Sequence, residues 1–251
     1  MQSFMRSFLK KYCASYISSL KAWTYYYNSK KYLLETYYAE CFRIAISGSP
    51  WLLRQSFMPT GWALDFLGLY HCFRILEKMQ PSKIVEFGVG ESTKLFAQYA
   101  DYHECVQFYT FEHNKIWLDF FCQSFPNKDN NYVIVERPLE TISFRGTQTL
   151  RYSGSIGEYT GDNIEFVLLD GPHGSRYKYS RTQILDLVPD YLNKDKFCIV
   201  IHDYHRAGEK NTAKVIMEKL DTAKIAYKTQ DYFAVCGIRI IVSDSLGFLT
   251  L

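Results

Sequence analysis

Two short stretches concentrate the groups able to move protons or hold a cation: Asp170-Gly171-Pro172-His173-Gly174 and His202-Asp203-Tyr204-His205-Arg206. Each follows an apolar run, which puts both at the ends of strands. Asp203 can serve as a general base, and so can His173 or His205, since an imidazole titrates near neutrality unaided. A second chemistry is open to the same residues. Asp170 and Asp203 can hold a divalent cation with a histidine; oxygen ligands favour Mg²⁺ or Mn²⁺, and an imidazole widens the choice. Arg206 can grip an acidic group on a substrate through a two-pronged pair, or pair with a neighbouring carboxylate instead. Asp203 has a plainer alternative as the cap of the next helix.

A third stretch, Glu86-Phe87-Gly88-Val89-Gly90-Glu91-Ser92-Thr93, has the form of a strand, a glycine turn and a helix start. Gly88 and Gly90 let a ligand approach the backbone closely, and the helix offers free N–H groups and the positive end of its dipole. A dinucleotide pattern would need Gly or Ala where Thr93 stands. Glu86 would also sit badly beside a diphosphate. An acidic group there suits a ligand carrying an amine.

The elements that must position these groups follow from periodicity. Strands are expected over 83–88, 106–112, 131–136, 164–170 and 196–202, with helices over 92–101, 114–124, 176–192 and 208–221. The stretch 137–163 is rich in Gly, Ser and Thr and reads as a long irregular loop. Two further strands, 224–230 and 235–242, are close enough to form an antiparallel hairpin at the sheet edge. Apolar strands bridged by helices imply a parallel sheet covered on both faces, hence an α/β, Rossmann-like doubly wound fold. In such a sheet the ligand lies over the carboxyl ends of the strands. Residues 61–79 read as a helix that ends before Pro81-Ser82.

With strands and motifs in this order, the chain resembles the class I S-adenosylmethionine-dependent methyltransferases, whose first motif is E-x-G-x-G followed by small hydroxylic residues, here Ser92 and Thr93. The resemblance implies S-adenosylmethionine as cofactor. It places Glu112, at the end of the second strand, on the ribose hydroxyls, and Pro138-Leu139, after the third, beside the adenine. The stretch starting at Asp170 and the one starting at His202 are similar to the "DGP" and "HD-x-x-R" elements of the glucuronoxylan 4-O-methyltransferase family and related bacterial sugar-modifying enzymes. That likeness, over roughly residues 60–242, implies an O-methyltransferase acting on a hydroxyl of a glycan or polar small molecule, with a role in surface polysaccharide biosynthesis. It also allows a divalent metal held by Asp170 and Asp203. Two other classes stay open: a nicotinamide-dependent oxidoreductase, against which Thr93 and Glu86 speak, and a non-catalytic binding module, against which the intact glycine motif speaks.

Composition sets the outer bounds. Hydrophobic residues at 47% and charged residues at 22% exclude a disordered or fibrous chain, and 251 residues suit one α/β domain with an extra segment. The net charge of +3 gives no reason to expect nucleic acid. The seven cysteines are odd in number and contain no C-x-x-C pair, as expected of reduced thiols in the cytoplasm. Charge is uneven, however: residues 1–60 hold eight Lys/Arg against Glu35 and Glu40. Phe4, Phe8, Tyr12, Tyr16, Leu20 and Trp23 recur there at helical spacing. Residues 1–58 therefore read as a basic, aromatic helical segment ahead of a cofactor-binding domain over 59–251. That segment packs on the domain, joins a second copy in a homo-oligomer, or lies on a membrane surface. Its tyrosine-rich part, 24–38, could line a glycan groove.

Overall fold

The computed structural model describes residue 24 and residues 26–59, 63–125, 132–174 and 176–251. In chain order, α1 spans 26–46, followed by α2 (Phe66–Met79), β1 (Lys83–Phe87), α3 (Glu91–Tyr102), β2 (Gln107–Glu112) and α4 (Lys115–Ser124). Then come β3 (Tyr132–Glu136), β4 (Leu139–Phe144), β5 (Thr147–Tyr152), α5 (Ile156–Thr160), β6 (Phe166–Leu169), β7 (Cys198–Ile201), α6 (Ala207–Thr222), β8 (Tyr227–Phe233) and β9 (Gly237–Ser243).

Seven strands form one sheet in the order β3-β2-β1-β6-β7-β9-β8. The first five are parallel, and β9 runs antiparallel to both β7 and β8. The fold is thus Rossmann-like and doubly wound, with a C-terminal antiparallel hairpin and helices ahead of the sheet. Burial on both faces explains the unbroken apolar strands. Phe166 and Leu168 of β6 join one core cluster, while Val167 and Leu169 join the other. Cys198 and Val200 of β7 alternate with Ile199 and Ile201 in the same way. From β1 the chain winds outward through β2 and β3, then returns to β6 on the other side. The crevice between β1 and β6 is the switch point at which such sheets bind ligands.

The first core also takes in the segment before the sheet. Phe42, Ile46, Trp51 and Leu52 are buried in it, with Leu34 and Tyr38 packed against it at four-residue spacing along α1. Trp51 stacks on Phe73 and donates to Glu77 at 2.5 Å. The opposite face of α1 leaves Tyr26, Tyr32, Leu33 and Tyr37 exposed. The expectations placed on residues 1–23 lie outside the described residues. Among the described residues no helix is long and apolar enough to cross a membrane.

Two expectations are corrected. Residues 137–163 are no irregular loop: β4 and β5 pair as an antiparallel hairpin, and α5 follows. The turn is Arg145-Gly146, both with positive φ, so the strands join through two residues of the twist hairpins prefer. Arginine in the first position hid the signal. Residues 176–192 hold no α-helix either, only a 3₁₀ turn at Thr182–Asp186. Arg181 enters that turn with φ 57°, which takes the backbone out of a right-handed helix. α2 starts at Phe66, with Asp65 as its N-cap accepting from the Gly68 N–H at 2.9 Å.

Candidate active site

The glycine turn after β1 is fixed from three sides. Val89 donates its N–H to Glu112 Oε2 at 3.2 Å, and its carbonyl accepts from the Trp117 indole at 2.7 Å. Gly88, at φ 98°, abuts the backbone of Gly171 after β6; a Cβ there would lie 3.2 Å from the Gly171 nitrogen. The space that a Cβ on Gly88 would take is occupied by the backbone of the turn after β6, so the glycine lets the β1 and β6 turns approach each other. Gly90 differs, since a Cβ on it would meet nothing within 4 Å. Beside this bare backbone begins α3, whose first-turn N–H groups have no partner within the helix.

Glu86 is also corrected. Its side chain is fully buried beneath α3, away from any ligand's amine. Oε1 accepts from the Ser92 hydroxyl at 2.5 Å, while Oε2 accepts from Thr93 at 2.6 Å and Thr110 at 2.8 Å. Thr93 in turn accepts from the Gly90 N–H at 2.8 Å, so Glu86 pins the turn from below. Burial lifts its carboxyl to about 8, against the three hydroxyls that favour the ionised form. The native state thus holds this proton more tightly than the unfolded chain does. The stability it supplies is complete below pH 4.5 and is lost as the pH rises through about 8. Glu86→Gln copies the neutral acid, so in urea unfolding it should gain on the wild type between pH 5 and pH 8. A difference that stays constant over that range would mean the carboxylate is ionised throughout.

Glu112, at the end of β2, keeps its charge. Burial would raise its pKa, but His113 and the backbone N–H groups of Asn114 and His113 bring it below the ordinary value. Those two N–H groups each lie 2.8 Å from Oε1. Oε2 accepts only the long bond from Val89 and retains a lone pair for a ligand hydroxyl. Pro138 is exposed at the head of β4 and Leu139 is half-buried. Tyr152 is buried against Phe87, and its hydroxyl has no hydrogen-bond partner among the described residues.

The ends of β6 and β7 are joined by a buried chain of charges. Asp203 Oδ2 accepts from Arg181 at 2.8 Å and pairs with Arg206 at 2.6 Å. Arg181 is 2% exposed and donates to the carbonyls of Leu169, Pro172 and His202 as well. It lies 3.5 Å from Asp170, whose Oδ1 is 2.7 Å from His202 Nδ1. Burial alone would raise the Asp203 carboxyl, but His202, Arg181 and Arg206 hold it below the usual range. Burial alone would lower His202, but Asp170 carries it well above the ordinary histidine value. Asp203 is therefore corrected as a general base: two guanidiniums keep its proton off. It is no helix cap either, because Arg206 occupies the N-cap of α6. Arg206 itself is engaged by Asp203, the neighbouring carboxylate.

The metal expectation meets the same charges. Ligand atoms of Asp170, His202 and Asp203 lie within 4.8 Å of one another. Yet His202 Nδ1 is bonded to Asp170, Asp203 is held by two arginines, and the buried Arg181 already supplies a cation among them. That donor set does not fit Mg²⁺ or Mn²⁺. His173 and His205 stand exposed on the rim, both shifted below the usual value, first by partial burial and also by Arg206. Both are neutral at pH 7 and able to accept a proton.

Sequence reasoning missed Arg181, which belongs to no motif. The one available signal was that acids ending two adjacent buried strands need a cation between them. It also missed Asp65, hidden by starting the helix at 61.

No protein-family model and no curated relative matches the sequence. Several solved structures resemble the chain at low similarity. An O-methyltransferase assigned in Klebsiella pneumoniae superposes with TM-score 0.46 at 10% identity, over 80% of this chain and 93% of that one. A methyltransferase from Podospora anserina, solved with S-adenosylhomocysteine, gives 0.42 at 10%, over 82% and 87%. Precorrin-6y C5,15-methyltransferase from Geobacter metallireducens gives 0.41 at 15%, over 68% and 86%. At these levels the likeness decides nothing about chemistry or acceptor.

Proposed function

We propose that this protein is an S-adenosylmethionine-dependent O-methyltransferase acting on a hydroxyl of a carbohydrate or related polar acceptor. The observation that carries the reading is the crevice between β1 and β6, where the backbone at Gly90 lies bare beside the start of α3. The residues around it fit such a donor. Glu112 has a lone pair left for the ribose hydroxyls, and the unpartnered Tyr152 hydroxyl lies where a Gly171 Cβ would be only 2.7 Å away. Thr93, at the position of a third glycine, is bonded to Glu86, which disfavours a dinucleotide. Bound S-adenosylmethionine supplies a methyl group already activated for displacement, so the chain must chiefly align the acceptor and exclude water. The "DGP" and "HD-x-x-R" stretches support a sugar acceptor, for which the exposed tyrosines of α1 offer stacking surfaces, and a place in surface polysaccharide biosynthesis.

Calorimetry should give low-micromolar or tighter binding of S-adenosylhomocysteine, about −7 to −8 kcal/mol. Heat with NAD(H) and none with this ligand would overturn the reading. An acceptor screen with labelled S-adenosylmethionine should show transfer that survives EDTA, because the carboxylates near the reaction centre are engaged by arginine and histidine. Transfer abolished by EDTA and restored by Mg²⁺ would reverse the conclusion about the metal.

A further inference from the structure

α1 brings a carboxylate against the start of α2 that no motif announces. Glu35 Oε1 accepts the Phe66 N–H at the start of α2 at 2.6 Å. Asp65, the N-cap of the same helix, uses Oδ1 for the Gly68 N–H. The second oxygen of each, Glu35 Oε2 and Asp65 Oδ2, is buried and has no hydrogen-bond partner among the described residues. Facing Asp65 is His202, 3% exposed, with Nε2 3.7 Å from Asp65 Oδ1 and in the same group as Cys236, closing no hydrogen bond of good geometry. Polar atoms from α1, the α2 cap and the turn after β7 thus gather on the Nε2 side of His202, whose Nδ1 meets Asp170, with bonding capacity unmet. Buried polar groups in native proteins rarely stay unmet. Packing does not require a carboxylate at 35, since Leu34, Tyr38 and Phe42 already seat the helix.

We propose that this is the subsite that receives the acceptor hydroxyl, and that Glu35 takes its proton. The inference rests on the O-methyltransferase reading. The acceptor oxygen forms the new O–CH₃ bond, and the C–S bond breaks with its electron pair staying on sulfur. The hydroxyl proton passes to Glu35 Oε2 and from there to water. His202, protonated and paired with Asp170, points its other nitrogen at the acceptor oxygen and steadies the charge developing there. The groups facing Glu35 agree with this role. Burial and Asp65 lift it to about 7, against the backbone N–H groups of Phe66 and Leu67 and the charge of His202. A carboxylate of that basicity suits proton transfer at neutral pH. α1 is on this account part of the reaction site.

The test uses the full chain with ¹³C-labelled glutamate carboxyls, wild type against Glu35→Gln, which keeps the acceptor for the Phe66 N–H. One resonance with a midpoint near 7 is expected in the wild type and absent from the variant. With labelled S-adenosylmethionine and a mixture of methyl glycosides, the variant should lose about 10²-fold in turnover. Its affinity for S-adenosylhomocysteine should stay within about twofold, because the lost interaction serves the transition state. The wild-type rate should rise with pH through about 7, and this limb should be missing from the variant. A Glu35 carboxyl titrating near the ordinary 4.5, or turnover kept within about threefold, would overturn the inference. The two failures are distinguishable: a wild type that binds no S-adenosylhomocysteine sinks the enzymatic reading, whereas the Glu35 midpoint is read without any donor.

Discussion

Replacing Arg181 with methionine is expected to destabilise the protein by about 3–5 kcal/mol, the scale of breaking a buried ion network from one side. Arg181 is the cation between Asp203 at 2.8 Å and Asp170 at 3.5 Å, and Glu209 lies 3.9 Å away, buried and without a hydrogen-bond partner among the described residues. Methionine fills much of the volume but leaves these charges uncompensated and takes the Arg181 donor from the carbonyls of Pro172 and His202. Urea unfolding against pH separates charge from packing. In the wild type Asp203 has a depressed pKa, so its contribution is present above the unfolded value and is lost as the pH falls through the folded one. Without Arg181 the carboxylates gain by taking protons. The deficit of the variant should therefore shrink as the pH drops from 7 towards 4. A deficit independent of pH would assign the loss to packing, and one below about 1 kcal/mol would remove Arg181 from the centre of the network.

The second large effect comes from one methyl group. A Cβ on Gly171 would lie 2.7 Å from the Tyr152 hydroxyl oxygen and 2.9 Å from both the nitrogen and the Cα of Gly88. Two of those atoms are backbone and cannot swing aside. Gly171→Ala should cost about 1–3 kcal/mol by overpacking and should weaken S-adenosylhomocysteine binding by prising the β1 turn from the β6 turn. Gly90→Ala is the matched control. Its backbone is extended, at φ −174°, and its Cβ would enter open space, so stability should change by less than about 1 kcal/mol. If the donor lies against that backbone, binding should nonetheless fall by about tenfold, or 1.4 kcal/mol. Gly90→Ala binding as tightly as wild type would move the donor elsewhere, whatever Gly171→Ala does.

Much of the fold was legible along the chain because burial on both faces of a sheet forces long apolar runs. The runs ending at Asp170 and His202 became adjacent parallel strands for that reason. Local signals failed where a side chain serves something distant. The 3₁₀ turn at Thr182–Asp186 replaced an expected helix because Arg181 is needed under the strand ends. The β4–β5 hairpin escaped notice because its Arg-Gly turn lacks the usual asparagine or aspartate.

By itself the sequence determined the doubly wound sheet, the glycine turn after β1 and the gathering of acids and histidines after β6 and β7. Strand periodicity and chain order fix those, since both act between neighbours in sequence. Tertiary structure alone decided what each group does. It turned Glu86 beneath a helix, pressed Gly88 onto Gly171 and closed two arginines on Asp203. It also carried Asp65 to His202 and Glu35 to the start of α2. The reason is electrostatic and steric: a carboxylate's charge and reach depend on what is packed within a few ångströms of it, and those neighbours come from residues far away along the chain.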